Sequence, residues 1–586
     1  MNTKIILIGV ILLFHLCNLC FSQTNYFVDG ANGNDGNTGT SLVNAWQTIQ
    51  NACNNATPNS IVYIKGGTYN ENLDVNVSGT AGNPITFRNY MNDSVYIDGT
   101  GTTGTAMLYM LDKSYLNFQN LVIQNRTVND AQGIAVECSA TGSVKNLSFK
   151  KIIIRHINWT NNPAAIPGPS NNSQGFIAYG YGNNQANAIG NITIDSCEAY
   201  SNILGFSEAM TLDGNVDGFT ISNCKIHDNT NIGIDIAGNY LVSSNPAVDH
   251  ARNGSIINCE CYRNVSSYAT SAGIYVDGGW NTVIEKCKSY ENGWGIEVGC
   301  EEDGTSDSIT VKNNLIYNNE EGGLSIGGYT TATTGQVRYT TIRNNTFFQN
   351  NSNNNGNGEI YMTKVSNSSI INNIFYTNAQ NKFMYNENIS PQTSNVLNYN
   401  CWFTPNNNAN NISVDWRGTN YSTFSSYKSG TGQEANSFYS DPAFVSATLP
   451  APDLHSFSSL CIDGGDPSTL ISAGETDYEG NPRINLQIDV GAYELWALGV
   501  LPMNKNENAV MIYPNPFSES TTIQITSHKS QELRMKLFDV FGREVKQFVI
   551  RNSSFVMERG DLPDGIYFYE IRSEEKNIGK GKIIIQ

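Results

Sequence analysis

The sequence predicts an all-β chain, a right-handed parallel β-helix (a solenoid) followed by a small C-terminal β-sandwich. Three observations carry this: a composition full of turn formers, side-chain columns that recur at near-constant spacing, and a change of pattern after about residue 495.

The 586 residues include 53 glycines, 30 tyrosines and a large excess of asparagine, and only 15% are charged. Such a mix suits many turns between short strands rather than long helices. The chain begins Met1-Asn-Thr-Lys4, followed by an apolar run from Ile5 to Leu16 and small or polar residues up to Gln23. That pattern predicts a signal peptide over residues 1–22 with cleavage after Ser22. No later stretch approaches the roughly 18 consecutive apolar residues of a membrane span, so no transmembrane segment is expected in the mature chain. A net charge of −18 with no basic stripe excludes nucleic acid as a partner. Two of the twelve cysteines fall in the signal peptide and the other ten form no C-x-x-C pair, which argues against a zinc site and leaves disulfide pairing open.

Repeats decide the architecture. Asn202, Asn229, Asn264, Asn292, Asn319, Asn350 and Asn378 each follow a ring by two residues: Tyr200, His227, Tyr262, Tyr290, Tyr317, Phe348 and Tyr376. Three residues before each ring stands Cys197, Cys224, Cys259, Cys287, Asn314, Asn345 or Asn373. The first column recurs after 27, 35, 28, 27, 31 and 28 residues, as a coil of fixed perimeter with loops of variable length requires. Rungs about 4.8 Å apart let such asparagines bond one another and let the rings stack. The columns are therefore structural, and His227, in a column of tyrosines, is read as a stacking residue.

At the N-terminus, Tyr26-Phe-Val-Asp-Gly30 precedes a glycine- and asparagine-rich loop and a stretch from Ser41 to Ala56 in which Trp46, Ile49 and Cys53 share a helical face. A short helix there covers the open end of the solenoid. Short β runs follow: Ile61–Ile64, Gly66–Tyr69 and Ser78–Phe87. This stretch resembles the N-terminal segment of polysaccharide-acting β-helix proteins, among them family nine pectate lyases and related alginate lyases. Further on, Ile462–Pro467, Thr476–Arg483 and Ile488–Glu494 resemble the closing segment of bacterial secreted β-helix proteins. Tyr513-Pro-Asn-Pro-Phe517, Leu537–Arg543, Gly565–Ile571 and the final Gly579–Gln586 resemble a type nine secretion sorting domain. These resemblances imply a β-helix with its cap over 23–400, its C-terminal end and cap over 401–494, a linker over 495–510 and a sorting domain over 511–586. They also imply the outer-membrane secretion machinery as a partner, export through the periplasm and outer membrane, and a protein secreted or attached to the cell surface.

The strands after the ladder turns locate the chemistry. Ala209–Gly214, Gly233–Gly238, Gly273–Gly278, Gly295–Gly299 and Gly323–Gly327 alternate apolar and variable residues. With Ile234, Ile236, Ile274, Val276, Ile296 and Val298 inward, the intervening residues form two outward columns. The first reads Thr211, Asp235, Tyr275, Glu297, Ser325, and the second Asp213, Ala237, Asp277, Gly299, Gly327. Four carboxylates thus share one patch, and mutual repulsion raises the pKa of some of them unless a cation or substrate compensates.

Two chemistries use such a patch on an extracellular polysaccharide. A glycoside hydrolase needs one carboxyl to protonate the leaving oxygen and another to activate water, with Asp235, Asp277 and Glu297 as candidates and Tyr275 as proton donor or sugar platform. A lyase needs calcium, for which Asp213, Asp235 and Asp277 are candidate ligands, and a base to remove an acidified C5 proton. Lys225, His250 and Arg252 are candidate bases. The last two lie in an insertion, Asn239 to Gly254, expected to rim the same face, and a second loop adds Glu301, Glu302 and Asp303 there. The adjacent aspartates that precede a glycine in family nine lyases are absent; Asn231-Ile-Gly-Ile-Asp235 keeps one aspartate, so the resemblance transfers no base. A non-catalytic glycan-binding or adhesive β-helix is the alternative.

Overall fold

The computed structural model describes residues 23–328, 335–496, 510–525, 533–540, 542–573 and 577–586. The signal peptide expected over 1–22, and all but the edges of the linker expected over 495–510, lie outside the described residues. The chain divides into two compact units, one ending at Leu495 and one beginning at Trp496.

The first unit is a right-handed β-helix. Its described strands form three long sheets of 16, 13 and 13 strands. One coil shows the course: Val216–Ser222 lies in the first sheet, Lys225–His227 in the second and Ile234–Ala237 in the third. Neighbouring strands pair in parallel, except that the last strand of the third sheet, Thr419–Tyr421, runs antiparallel to Ser413–Trp416. Alternate residues of the strands in each coil fill the interior. Ile221, Ile226, Ile234 and Ile236 are fully buried, and Phe87, Phe118 and Phe149 stack at 5.1 and 5.6 Å along the axis.

The turn after the second sheet explains the asparagine column. Residues just before it, Ser201, Asp228, Arg263, Glu291, Asn318 and Gln349, all have φ between 51° and 56°, a left-handed conformation that reverses the chain sharply. The next side chain then points inward, where its amide satisfies the turn. Asn202 donates to Asn229 at 2.9 Å, Asn229 to Asn264 at 2.9 Å, Asn264 to Asn292 at 3.0 Å, Asn292 to Asn319 at 3.3 Å and Asn319 to Asn350 at 2.8 Å. Asn350 then donates to Glu359 at 2.7 Å, and Asn378 bonds the backbone carbonyls of Asn350 and Asn351 instead, so the expected seventh member stands outside the ladder. A second ladder runs Asn314, Asn345, Asn373, Asn400 and ends on Glu434. Both ladders thus close on a buried glutamate, which accepts the last amide protons.

The ring column stacks as the spacing implies. Tyr200, His227, Tyr262, Tyr290 and Tyr317 follow one another at 4.7–5.1 Å and within 9° of parallel. All ten described cysteines are buried free thiols.

At the N-terminal end the helix is shorter than expected, Ile49–Asn55. Trp46 lies outside it, because its backbone bonds Phe27 and Asp29 as a bridge beside the first strand, and its ring stacks on Tyr26. Thr48 caps the helix by accepting from the Asn51 amide at 3.1 Å, and Ile49, Ala52 and Cys53 cover the core. At the other end the helix Phe424–Thr431 packs Phe424 and Tyr427 on the last rungs. Residues 441–495 do not extend the solenoid. They fold back along its flank, where Glu475 pairs with Lys312 and Arg343 at 3.0 and 2.7 Å, and Leu454 and Ala492 pack on Tyr317 and Phe348.

The second unit contains two antiparallel sheets, one of Val510–Tyr513, Ser520–Ile525 and Ser554–Glu558, the other of Leu533–Phe538, Glu544–Ile550, Gly565–Arg572 and Asn577–Ile585. They share a core that includes Ile523, Met535, Leu537, Ile550 and Ile571.

Candidate active site

Seven consecutive strands of the third sheet build the site: β1 (Ser173–Gly180), β2 (Met210–Gly214), β3 (Ile234–Ala237), β4 (Ala272–Asp277), β5 (Trp294–Cys300), β6 (Gly322–Gly328) and β7 (Ile360–Met362). Their register pairs Thr211 with Asp235, Asp235 with Tyr275, Tyr275 with Glu297 and Glu297 with Ser325, which is the first outward column. In the second column Ala237 pairs with Asp277 and Asp277 with Gly299.

Over β1 to β4 the outer face is roofed into a cleft of about 560 Å³. One wall comes from loops that lead into the sheet, through Phe206, Glu208 and Tyr268; the other comes from loops that leave it, through Tyr240 and Glu301. Phe206 meets Tyr268 edge-on at 5.5 Å. Five carboxyl side chains line the cleft, Glu208, Asp213, Asp235, Asp277 and Glu301, and among the described residues no lysine, arginine or histidine does. Glu297 stands one rung beyond, hydrogen-bonded to the Ser325 hydroxyl at 2.9 Å.

Burial governs how these groups hold their protons. It pushes Glu208 up to about 8, Asp213 to about 7 and Glu297 to about 8. Asp235 lies well above the ordinary carboxylate range, first through burial and then through Glu208 and Asp277 beside it. Asp277 rises only to about 6, because the Tyr240 hydroxyl and the Glu301 amide both donate to it and favour its charged form. One oxygen each of Asp213 and Asp235 is buried without a hydrogen-bond partner. Such atoms cost free energy until a ligand hydroxyl or a proton satisfies them.

The expected bases lie elsewhere. His250 pairs back onto Gly238, is 1% exposed, and stacks on Trp280 at 3.8 Å, where burial lowers its pKa to about 4. Arg252 starts a strand of the first sheet and bonds Asn215 and Asp217 at 3.0 and 3.1 Å. Lys225 is in the second sheet, over the Tyr262 ring and beside Glu260. The Asn239 to Gly254 insertion does rim the cleft, but through Tyr240: Asp249 accepts the amides of Leu241 and Ser243 at 2.7 Å each and folds the rest of the loop back. Of the second loop, Glu301 lines the cleft and Glu302 and Asp303 are exposed outside it.

The calcium ligands expected at Asp213, Asp235 and Asp277 all line the cleft. Among the described residues no three His, Cys, Asp or Glu side chains converge as metal ligands, and both Asp277 oxygens are engaged by protein donors. Sequence reading missed Glu208, Tyr240 and Tyr268. Glu208 is visible in hindsight two residues before β2, on the segment that must enter the same sheet, whereas Tyr268 gave no periodic signal.

Residues 511–586 match the family described as secretion system C-terminal sorting domain, and residues 169–347 that described as right handed beta helix region. The uncharacterized protein YwoF of Bacillus subtilis is 31% identical over 433 residues, covering 72% of this chain and 88% of YwoF. The pectate lyase PEL9 of Emericella nidulans is 25% identical over 205 residues, 32% of this chain and 44% of PEL9. Among solved structures, a rhamnogalacturonan lyase aligns over 60% of this chain and 87% of its own at 16% identity and a TM-score of 0.41. The pectate lyase Pel9A aligns over 80% of this chain and 96% of its own at 18% identity and a TM-score of 0.35. The chain is thus a right-handed β-helix protein with a secretion sorting domain, and it belongs to the family of YwoF.

Proposed function

We propose that this exported β-helix hydrolyses glycosidic bonds in a neutral polysaccharide, using Asp235 as acid and Asp277 as base. The observation that carries the reading is a cleft lined by five carboxyls and, among the described residues, by no basic side chain. A lyase acting on an acidic polymer needs a base and positive charge to hold a uronate; this cleft offers repulsion instead. Hydrolysis needs what the cleft has: one carboxyl protonated and another ionised at the same pH.

Burial and the neighbouring Glu208 and Asp277 favour the protonated form of Asp235, whereas Asp277, near 6, ionises more readily. They stand on adjacent strands two residues apart in register. A rung of about 4.8 Å and a rise of about 3.3 Å per residue put their backbones roughly 8 Å apart. Backbones that far apart leave the two side chains space for a water between them, as the inverting arrangement needs. Asp235 gives its proton to the glycosidic oxygen as that bond breaks, while Asp277 takes a proton from the water that bonds the anomeric carbon.

The test is a panel of xylan, xyloglucan and galactomannan beside polygalacturonate and alginate, each with calcium or with EDTA. Released reducing ends and the ultraviolet absorbance of unsaturated uronates are followed together. The reading expects reducing ends from a neutral polymer, insensitive to EDTA, with no absorbance. Calcium-dependent absorbance from a uronate polymer would make the protein a lyase; retention of a polymer without product would make it a glycan binder.

A further inference from the structure

The outward columns of the third sheet do not stop at the carboxyls. On the N-terminal side, Tyr179 of β1 lines the cleft one strand from Asp213 and stacks on Tyr181 at 5.8 Å, and Tyr181 is 37% exposed. On the C-terminal side, Tyr275 packs in one cluster with Trp294 and Tyr361. Tyr361 follows Ser325 in register, and Tyr385 follows Tyr361. The rings of Trp294 and Tyr361 are 5.9 Å apart, and those of Tyr361 and Tyr385 are 5.7 Å apart. Between the two aromatic stretches the second column holds Asp213, Ala237, Asp277, Gly299 and Gly327, so from Gly299 to Gly327 no side chain rises from it. At Gly299 a Cβ would come within 2.8 Å of the Tyr275 hydroxyl, so this low floor is also what lets the Tyr275 ring lean across.

We infer that the protein binds the interior of a glycan chain laid along the solenoid axis and cuts within it, with Tyr179 and Tyr181 holding one side of the scissile bond and Tyr361 and Tyr385 the other. This rests on the hydrolytic reading above. The aromatic positions flank the carboxyls on both sides, whereas a site for chain ends has sugar-binding surface on one side and a wall on the other. From β1 to the strand Lys382–Asn386 that carries Tyr385 are seven steps of about 4.8 Å, or about 34 Å, and one step is close to one sugar of an extended chain. Half-buried tyrosines offer flat apolar area with a polar tip, the surface that sugar faces pack on.

The experiment follows viscosity, reducing ends and product size together on whichever neutral polymer of the panel is cut. Wild type is expected to drop viscosity early and to release long fragments before short ones. Tyr361→Ala and, at the far end, Tyr181→Ala are each expected to raise KM for the polymer about 2- to 10-fold and to shift the product lengths, and Tyr361→Phe, which keeps the ring, to restore both. Melting temperatures show that each variant folds. Release of mono- or disaccharides from the first minutes at constant viscosity would overturn interior cutting and leave hydrolysis standing, as would alanine variants with unchanged KM and product lengths. Absence of reducing ends from every neutral polymer would overturn both.

Discussion

Asp277 differs from its neighbours by two donors. Asp213 and Glu297 are raised by burial against one hydrogen bond each, from the Gly214 amide and the Ser325 hydroxyl, and Asp235 by burial and its carboxyl neighbours, whereas Asp277 receives both the Tyr240 hydroxyl and the Glu301 amide. On the hydrolytic reading, those two hydrogen bonds separate base from acid within one cleft. Replacing Tyr240 by Phe removes a donor to the charged form, so the Asp277 pKa rises from about 6. Since Asp277 works ionised, the acidic limb of the rate profile should move to higher pH by about 1 unit, the pH equivalent of one hydrogen bond to a charged group. A pH profile of kcat/KM for Tyr240→Phe checks this, and an unmoved limb would remove Asp277 from the role of base.

At the scale of the element, the asparagine ladder shows what a coil costs and what holds it. Each rung turns through a left-handed residue and leaves buried amides, which the next asparagine satisfies. Asn292, fully buried, accepts from the backbone and side chain of Asn264 at 3.0 Å and donates to Cys261 and Asn319. Asn292→Ala strands several buried groups at about 1–3 kcal/mol each, so urea unfolding should show a loss of about 3 kcal/mol or more. Asn281→Ala, on the exposed outer pair with Asn253, should cost less, about 1 kcal/mol, chiefly because Asn281 holds a left-handed φ of 42° that alanine tolerates poorly. The ladder was legible in the sequence because its period is set by the coil perimeter, and the outward columns followed from strand alternation. Asn378 was misplaced because spacing alone does not reveal that Glu359, nine residues after Asn350, fills the next position. His250 and Arg252 were misplaced for a related reason: which part of an insertion stays at the rim is decided by the carboxylate of Asp249 capturing two amides, a contact with no periodicity.

For the whole molecule, the cleft sets a relation between pH and stability. Glu208, Asp213 and Glu297 have folded pKa values of about 8, 7 and 8, all above those of an unfolded chain. Between the two sets of values the folded protein binds more protons than the unfolded one, so stability falls as pH rises. Melting temperature should therefore be highest near the unfolded carboxylate range, about pH 4–4.5, and decline toward about pH 8. Calorimetry across that range checks the slope, and a melting temperature that climbs steadily from pH 5 to 8 would contradict it. Buried carboxyls with an unpartnered oxygen make the cleft a place that costs the fold stability.

Turnover of Asp235→Asn against wild type, with melting temperature as its control, tests the central claim most directly. The amide keeps the shape, removes the proton that Asp235 would deliver, and relieves the charge conflict with Glu208 and Asp277. Turnover on a neutral polymer is predicted to fall by about 10²- to 10⁴-fold while the melting temperature at neutral pH holds or rises. Turnover within a few-fold of wild type, or a loss of turnover that tracks a collapse in melting temperature, would contradict it.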